Sequence, residues 1–336
     1  RGDRRVTKIA LENQIFRLDE IPRVDTIRTE TGMEEFDRVL GGGLVIGSVI
    51  LLGGDPGIGK STLALQCVAG LTGRLKTLYV TGEETLQQLA LRSERLGLGK
   101  LPVDTLTENR LENILNRIPG SNYQMLVIDS IQSLYSENVS SSPGSISQVR
   151  ESAERLARCA KDNGCSILII GHVTKEGGIA GPKTLEHIVD TVLYFEGEAT
   201  SRFRLVRSFK NRYGSVNEVG VFAMTEGGLR EISNPSAMFL SGGKRDIAGS
   251  VVLISQEGTR PLLVEVQALV DTSSLSNPRR LCVGFDSQRL AMLLAVLNKH
   301  GGATLITQDV FINIAGGIRV MESAADVAVS AAVLSS

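Results

Sequence analysis

The chain reads as an α/β protein: a doubly wound, mostly parallel sheet followed by a smaller α+β unit. Three observations predict this. Up to about residue 230, short continuous apolar runs alternate with stretches that carry apolar residues at helical spacing. A glycine-rich turn ending in a lysine and a hydroxyl falls between the first run and the first helical stretch. After about residue 235 the texture changes: Asn234-Pro235 and Ser241-Gly242-Gly243 break the pattern and fresh strand alternation begins. A length of 336 residues exceeds one ordinary domain and predicts two.

Taken in order, residues 1–35 are mostly polar and are expected to be a lead-in packed on the first domain, which spans 36–235. The runs at 48–52, 77–80, 125–128 and 166–170 are each short and apolar throughout, as strands buried on both faces of a parallel sheet are. Helices are predicted over 60–70, 84–96 and 146–162. Repeated strand, helix, strand units make a doubly wound sheet. Val192-Leu193-Tyr194-Phe195 and Phe203-Arg204-Leu205-Val206, joined by a short polar loop, predict an antiparallel hairpin that extends it. The second domain, 240–336, is expected to run strand (249–254), strand, long helix (286–299), strand (309–314) and a last helix from 322. That helix is still running at Ser335-Ser336, which predicts a truncated domain.

Composition narrows the function classes. Hydrophobic residues at 42% and charged residues at 22% suit a globular protein with a sizeable core. A net charge of -1, no tryptophan and 4% aromatic content exclude a global basic field and extensive base stacking. Nucleic-acid contact would then need local basic loops, whose effect several copies in a ring would add up. Cys67, Cys159, Cys165 and Cys282 have no metal-ligand spacing and read as free, buried thiols of a reducing cytosol. No apolar run approaches a membrane span and no signal peptide is legible, so a cytoplasmic location is expected.

Gly54-Asp55-Pro56-Gly57-Ile58-Gly59-Lys60-Ser61 fits the phosphate-loop pattern G-x-x-x-x-G-K-[ST], after a predicted strand and at the start of a predicted helix. Glycines let successive N–H groups turn inward on a phosphate, and the helix N-terminus adds partial positive charge. Lys60 would reach the β- and γ-phosphates of ATP, Ser61 would give an oxygen to Mg²⁺, and Thr62 would bond the α-phosphate. Asp129, ending the run Met125-Leu126-Val127-Ile128, is the expected metal-side carboxylate. Glu83 and Glu84 follow the strand after the phosphate-loop helix and fall on the same sheet edge. One of them is expected to polarise the attacking water and the other to cap the next helix. Together these residues predict ATP hydrolysis, with ATP/ADP and Mg²⁺ as cofactors.

The stretch Thr31-Gly32-Met33-Glu34-Glu35-Phe36-Asp37-Arg38-Val39-Leu40-Gly41-Gly42-Gly43, running on into the phosphate loop, resembles the RecA/KaiC group. Lys210-Asn211-Arg212-Tyr213-Gly214 is similar to the Lys-Asn-Arg-Phe-Gly signature of the bacterial RadA (Sms) family of DNA-repair ATPases, with tyrosine for phenylalanine. Asn277-Pro278-Arg279-Arg280, 308–313 and Ala315-Gly316-Gly317 resemble that family's Lon-protease-like domain. The RadA family usually begins with a four-cysteine zinc finger; no such cluster exists here, and zinc is not expected.

The resemblance implies a RecA-like core and a homo-hexameric, ATP-driven helicase or branch-migration motor on single-stranded and branched DNA. It would work beside the RecA recombinase in homologous recombination and repair. Lys210 and Arg212 would reach a neighbouring subunit's γ-phosphate in trans, as an arginine finger does. His172, ending the strand after that of Asp129, would sense the γ-phosphate. The glycine-rich loop 175–183 would face the channel, with Lys175 and Lys183 on DNA phosphates, and the serine-rich stretch 140–147 is a second, cation-free candidate. Arg279, Arg280 and Arg319 would form a further DNA-facing surface. Ser323 lies near the position of a Lon-type nucleophile, but no lysine follows Lys299, so an active protease is not expected. The competing reading is a KaiC-like regulatory ATPase that switches protein partners without moving DNA.

Overall fold

The computed structural model describes Arg17, Asp19 and residues 27–172, 182–197, 202–240, 247–317 and 319–336. A two-residue ladder between Arg28–Thr29 (β1) and Leu44–Val45 (β2) brackets helix α1, Glu34–Leu40. The expected boundary at 35/36 therefore falls inside a helix. Phe36, Val39 and Leu40 on one side of α1 enter the core, so the end of the lead-in and the domain share it.

Nine strands make the large sheet: Val49–Gly54 (β3), Thr77–Thr81 (β4), Asp104–Thr107 (β5), Met125–Asp129 (β6), Ser166–His172 (β7), Thr191–Glu196 (β8), Phe203–Asn211 (β9), Val219–Thr225 (β10) and Gly228–Glu231 (β11). Their order is β11-β10-β9-β8-β3-β7-β6-β4-β5. The six strands from β8 to β5 are parallel, and β9, β10 and β11 add an antiparallel flank. The predicted hairpin is β8–β9.

Helices α2 (Lys60–Leu71), α3 (Leu86–Arg95), α4 (Leu111–Leu115), α5 (Ile146–Asn163) and one turn, α6 (Pro182–Leu185), connect the strands. Period-two alternation divides the strands between two cores. Ile50, Leu52, Tyr79 and Val127 pack with α1 and α2, while Val49, Leu51, Val80 and Ile128 pack with α4 and α5. Apolar residues are needed on both sides, which is why these strands read as continuous runs.

Helix α5 starts on Ser145, whose hydroxyl accepts from Gln148 N, and stops at Gly164 in the left-handed region, φ 63°. Helix α3 starts two residues later than predicted. Thr85 caps it through a reciprocal bond with Gln88, so neither Glu83 nor Glu84 is the cap.

The second sheet holds Ser250–Glu257 (β12), Arg260–Thr272 (β13), Arg280–Val283 (β14) and Gln308–Ile314 (β15), in the order β12-β13-β15-β14, with only β14–β15 parallel. Helices α7 (Ser287–His300, capped by Asp286) and α8 (Ala325–Ser335) close a third core with this sheet. Leu290, Leu294, Val329 and Ala332 of the helices meet Leu262, Val264 and Val266 of β13 there. The β12–β13 turn docks on the first unit. Arg260 donates to both Glu35 carboxylate oxygens at 2.9 and 2.7 Å, Thr259 N donates to Glu218 at 2.8 Å, and Arg207 pairs with Glu257.

Candidate active site

The phosphate loop leaves the end of β3, which is buried along its whole length. Gly54 and Gly59 have φ of 150° and 118°. A Cβ on Gly54 would lie 2.7 Å from the Phe195 carbonyl oxygen, and one on Gly59 would lie 2.7 Å from Met224 Cε, so both positions require glycine. Helix α2 opens with no side-chain cap and no acid in its first turn, which leaves its first N–H groups directed into the loop. Lys60 Nζ donates to the carbonyls of Gly54 and Asp55, both at 2.8 Å, and so sits within the loop itself. Burial pulls its ammonium down to about 8 against the opposing charges of Asp129, Asp55 and Glu83. Asp55, Pro56 and Gly57 are exposed, Ile58 is buried beneath them, and Ser61 and Thr62 are half-buried in the first turn of α2.

The neighbouring strand ends converge on this loop. Gly54 pairs with His172, and Thr81 pairs with Asp129. Asp129 is buried, and its Oδ2 accepts from the Tyr79 hydroxyl at 2.6 Å. Glu83 accepts from Ser130 Oγ, and His172 Nε2 lies 3.4 Å from the same carboxylate oxygen. The hydrogen bond from His172, with a smaller share from Ser130, outweighs burial and holds the Glu83 carboxyl down at about 2. Glu84 turns away to pair with Arg92 of α3, and burial pushes its carboxyl up.

Lys210 and Arg212 lie elsewhere. Lys210 pairs with Val192 near the start of β8, whereas Phe195, near its end, pairs with Gly54. Lys210 Nζ donates to the carbonyls of Glu186 and, at 2.8 Å, Val189; burial lowers its ammonium. Arg212 donates to Asp190 Oδ1 at 3.0 Å, and Asp190 Oδ2 accepts from Val49 N at 2.9 Å. From the level of Val49 to that of Gly54 is five strand residues, about 16 Å. Gly214 packs on Gly41, where a Cβ would approach Gly41 Cα to 2.8 Å, so two glycine motifs remote in sequence form one contact.

A family profile described as an AAA domain matches residues 16–178. The chain is 56% identical to the DNA repair protein RadA of Pseudomonas aeruginosa, over 95% of its own length and 70% of the relative's. It is 54% identical to DNA repair protein RadA of Escherichia coli, over 96% and 70%, and 50% identical to that of Bacillus subtilis, over 92% and 68%. The chain belongs to the RadA family. Its fold is α/β, with a RecA-like P-loop core.

In this RadA-family chain the remaining predicted residues are dispersed. Lys175 and the side chain of Lys183 lie outside the described residues. Arg279 and Arg280 are both exposed at the start of β14, where Arg279 N donates to Asp309 at 2.7 Å. Ser323 is exposed, and its hydroxyl makes no hydrogen bond among the described residues. All four cysteines are free; Cys67 and Cys165 are buried, while Cys159 and Cys282 are only half-buried. Among the described residues no helix is long and apolar enough to cross a membrane.

Mg²⁺ fits the loop through its donor chemistry. The described residues contain no group of three or more His, Cys, Asp or Glu side chains that could hold a metal. A hydroxyl and a single carboxylate are instead what a cation uses when nucleotide phosphates complete its shell. Sequence reasoning misses Tyr79, Ser130 and Asp190. Tyr79 is hidden inside an apolar run, and Ser130 and Asp190 carry no motif of their own.

Proposed function

We propose that this chain hydrolyses ATP and uses the energy to move on single-stranded and branched DNA, in homologous recombination and DNA repair, as a homo-hexamer acting beside a RecA recombinase. The observation that carries the hydrolytic part is the convergence of Lys60, Asp129 and the Glu83–His172–Ser130 cluster at one sheet edge. Support for the repair role comes from the relatives, which are DNA repair proteins by name.

The N–H groups at the start of α2 and Lys60 would bind the β- and γ-phosphates, with Ser61 and Thr62 presenting hydroxyls beside them. Mg²⁺, when bound by Ser61 and the Asp129 side, would neutralise charge on the phosphate oxygens. Glu83 stays ionised far below neutral pH, so it accepts a hydrogen bond well and a full proton poorly. Its role would be to orient the attacking water, with His172 linking it to the end of β7.

Lys210 and Arg212 would act on the phosphates of the next subunit, since they stand on the edge opposite their own loop. Lys175, Lys183, Arg279 and Arg280 would contact DNA phosphates. The second unit (240–336) would be a Lon-protease-like scaffold without peptidase activity, a reading supported by the Ser323 hydroxyl, which has no hydrogen-bond partner among the described residues.

The test measures ATP turnover with and without single-stranded DNA, together with oligomer mass in the same samples. Stimulated turnover by a hexamer is expected. Turnover indifferent to DNA, with no salt-dependent DNA binding, would sink the motor reading in favour of a KaiC-like switch.

A further inference from the structure

Tyr79 is among the largest fully buried side chains and stands in an apolar core with Leu63, Leu89 and Val127, where a phenylalanine would serve packing equally well. Its hydroxyl has one partner, Asp129 Oδ2, at 2.6 Å. The strand register explains the reach. Tyr79 is paired with Val127, so its side chain shares a face with Val127 and, two residues further on, with Asp129. Two residues of parallel strand span about 6.6 Å, a distance that a phenol covers and a serine, threonine or aspartate does not. No other side chain among the described residues hydrogen-bonds the Asp129 carboxylate. One carboxylate oxygen is therefore committed to the strand, and the other is left for the phosphate loop.

We propose that Tyr79 is a positioning residue for the metal–nucleotide complex: its hydroxyl fixes the Asp129 carboxylate so that a single, defined oxygen faces the cation at Ser61. This rests on the ATPase reading above. Without the hydroxyl the carboxylate can rotate about its Cβ–Cγ bond, and ordering it again subtracts from the metal affinity. Outer-sphere partners of this kind are typically worth about 10–100-fold in metal affinity.

The test uses the full chain and a fluorescent ADP analogue, with Mg²⁺ and with EDTA, in wild type and Tyr79→Phe. Expected is an unchanged affinity in EDTA, a loss of about tenfold or more in the Mg²⁺-dependent part, and recovery of turnover at high Mg²⁺. Equal Mg²⁺ dependence in the two proteins, or an equal loss with and without Mg²⁺, overturns the proposal. A double-mutant cycle in the Asp129→Ala background guards against a folding defect. Tyr79→Phe should change nothing further there, and an additive loss overturns the proposal as well. A wild type whose ADP affinity ignores Mg²⁺ would instead overturn the ATPase reading on which the proposal stands.

Discussion

The two ends of the large sheet differ in how their charged groups are satisfied. At the phosphate-loop end, Lys60, Asp129, Glu83 and His172 come from four separate strand ends and face a common space. At the other end, Lys210 and Arg212 come from one strand end and are held by Asp190 and by backbone carbonyls, with half of the Arg212 side chain exposed (49%). The first end is assembled by the fold and nearly closed on itself. The second leaves Arg212 half exposed and Lys210 tied to carbonyls, away from the chain's own phosphate loop. The contrast supports the proposal of a site completed between subunits.

The sharpest way to break that comparison is a mixing experiment. Lys60→Ala should lose nucleotide binding, and Lys210→Ala should keep it while losing turnover and unwinding, by about 10³-fold or more if the cation acts as a trans finger. Mixed together, the two inactive proteins should recover turnover, because some junctions then pair an intact loop with an intact cation. Normal unwinding by Lys210→Ala alone would end its assigned role. Next in size, Glu83→Gln should lower turnover by about 10²–10⁴-fold with nucleotide affinity kept, and Glu84→Gln far less. A larger loss for Glu84→Gln would reverse the assignment.

Asp190→Ala probes the outward edge by denaturant unfolding. It strips the buried Val49 N–H of its acceptor and should cost about 1–3 kcal/mol; unchanged stability would show that Asp190 does not hold this edge. The smallest effect is a shift in pH dependence. The Glu83 carboxyl is depressed in the folded chain, so its stabilising contribution is full above the usual carboxylate range and is lost as pH falls toward about 2. His172→Ala removes the largest cause and should raise the acid limb of stability toward that usual range. An acid limb identical to wild type would remove His172 from the cluster.

Much of this is legible in the chain. The strands β3, β4, β6 and β7 announce themselves because both faces are buried, and the loop at Gly54–Ser61 is a local pattern. Strand β5 escapes a sequence reading because Asp104–Thr107 is a mostly exposed edge with no apolar run, and β14 because Leu281 and Val283 project from an edge beside Arg280. The start of α3 is misplaced from sequence because Glu83 and Glu84 look like a helical first turn, while the Thr85–Gln88 box begins the helix after them.

By itself, the sequence determined the sheet class, the phosphate loop and the gathering of acidic strand ends along one edge, since each depends on residues within a few positions of one another. The tertiary structure alone decided that Glu83 rather than Glu84 meets His172, that Tyr79 holds Asp129, and that Arg212 stands about 16 Å and Lys210 about 10 Å along the strands from the level of Gly54. The physical reason is that the direction of a side chain past a strand end is set by the neighbouring strands, and strand order is not local information.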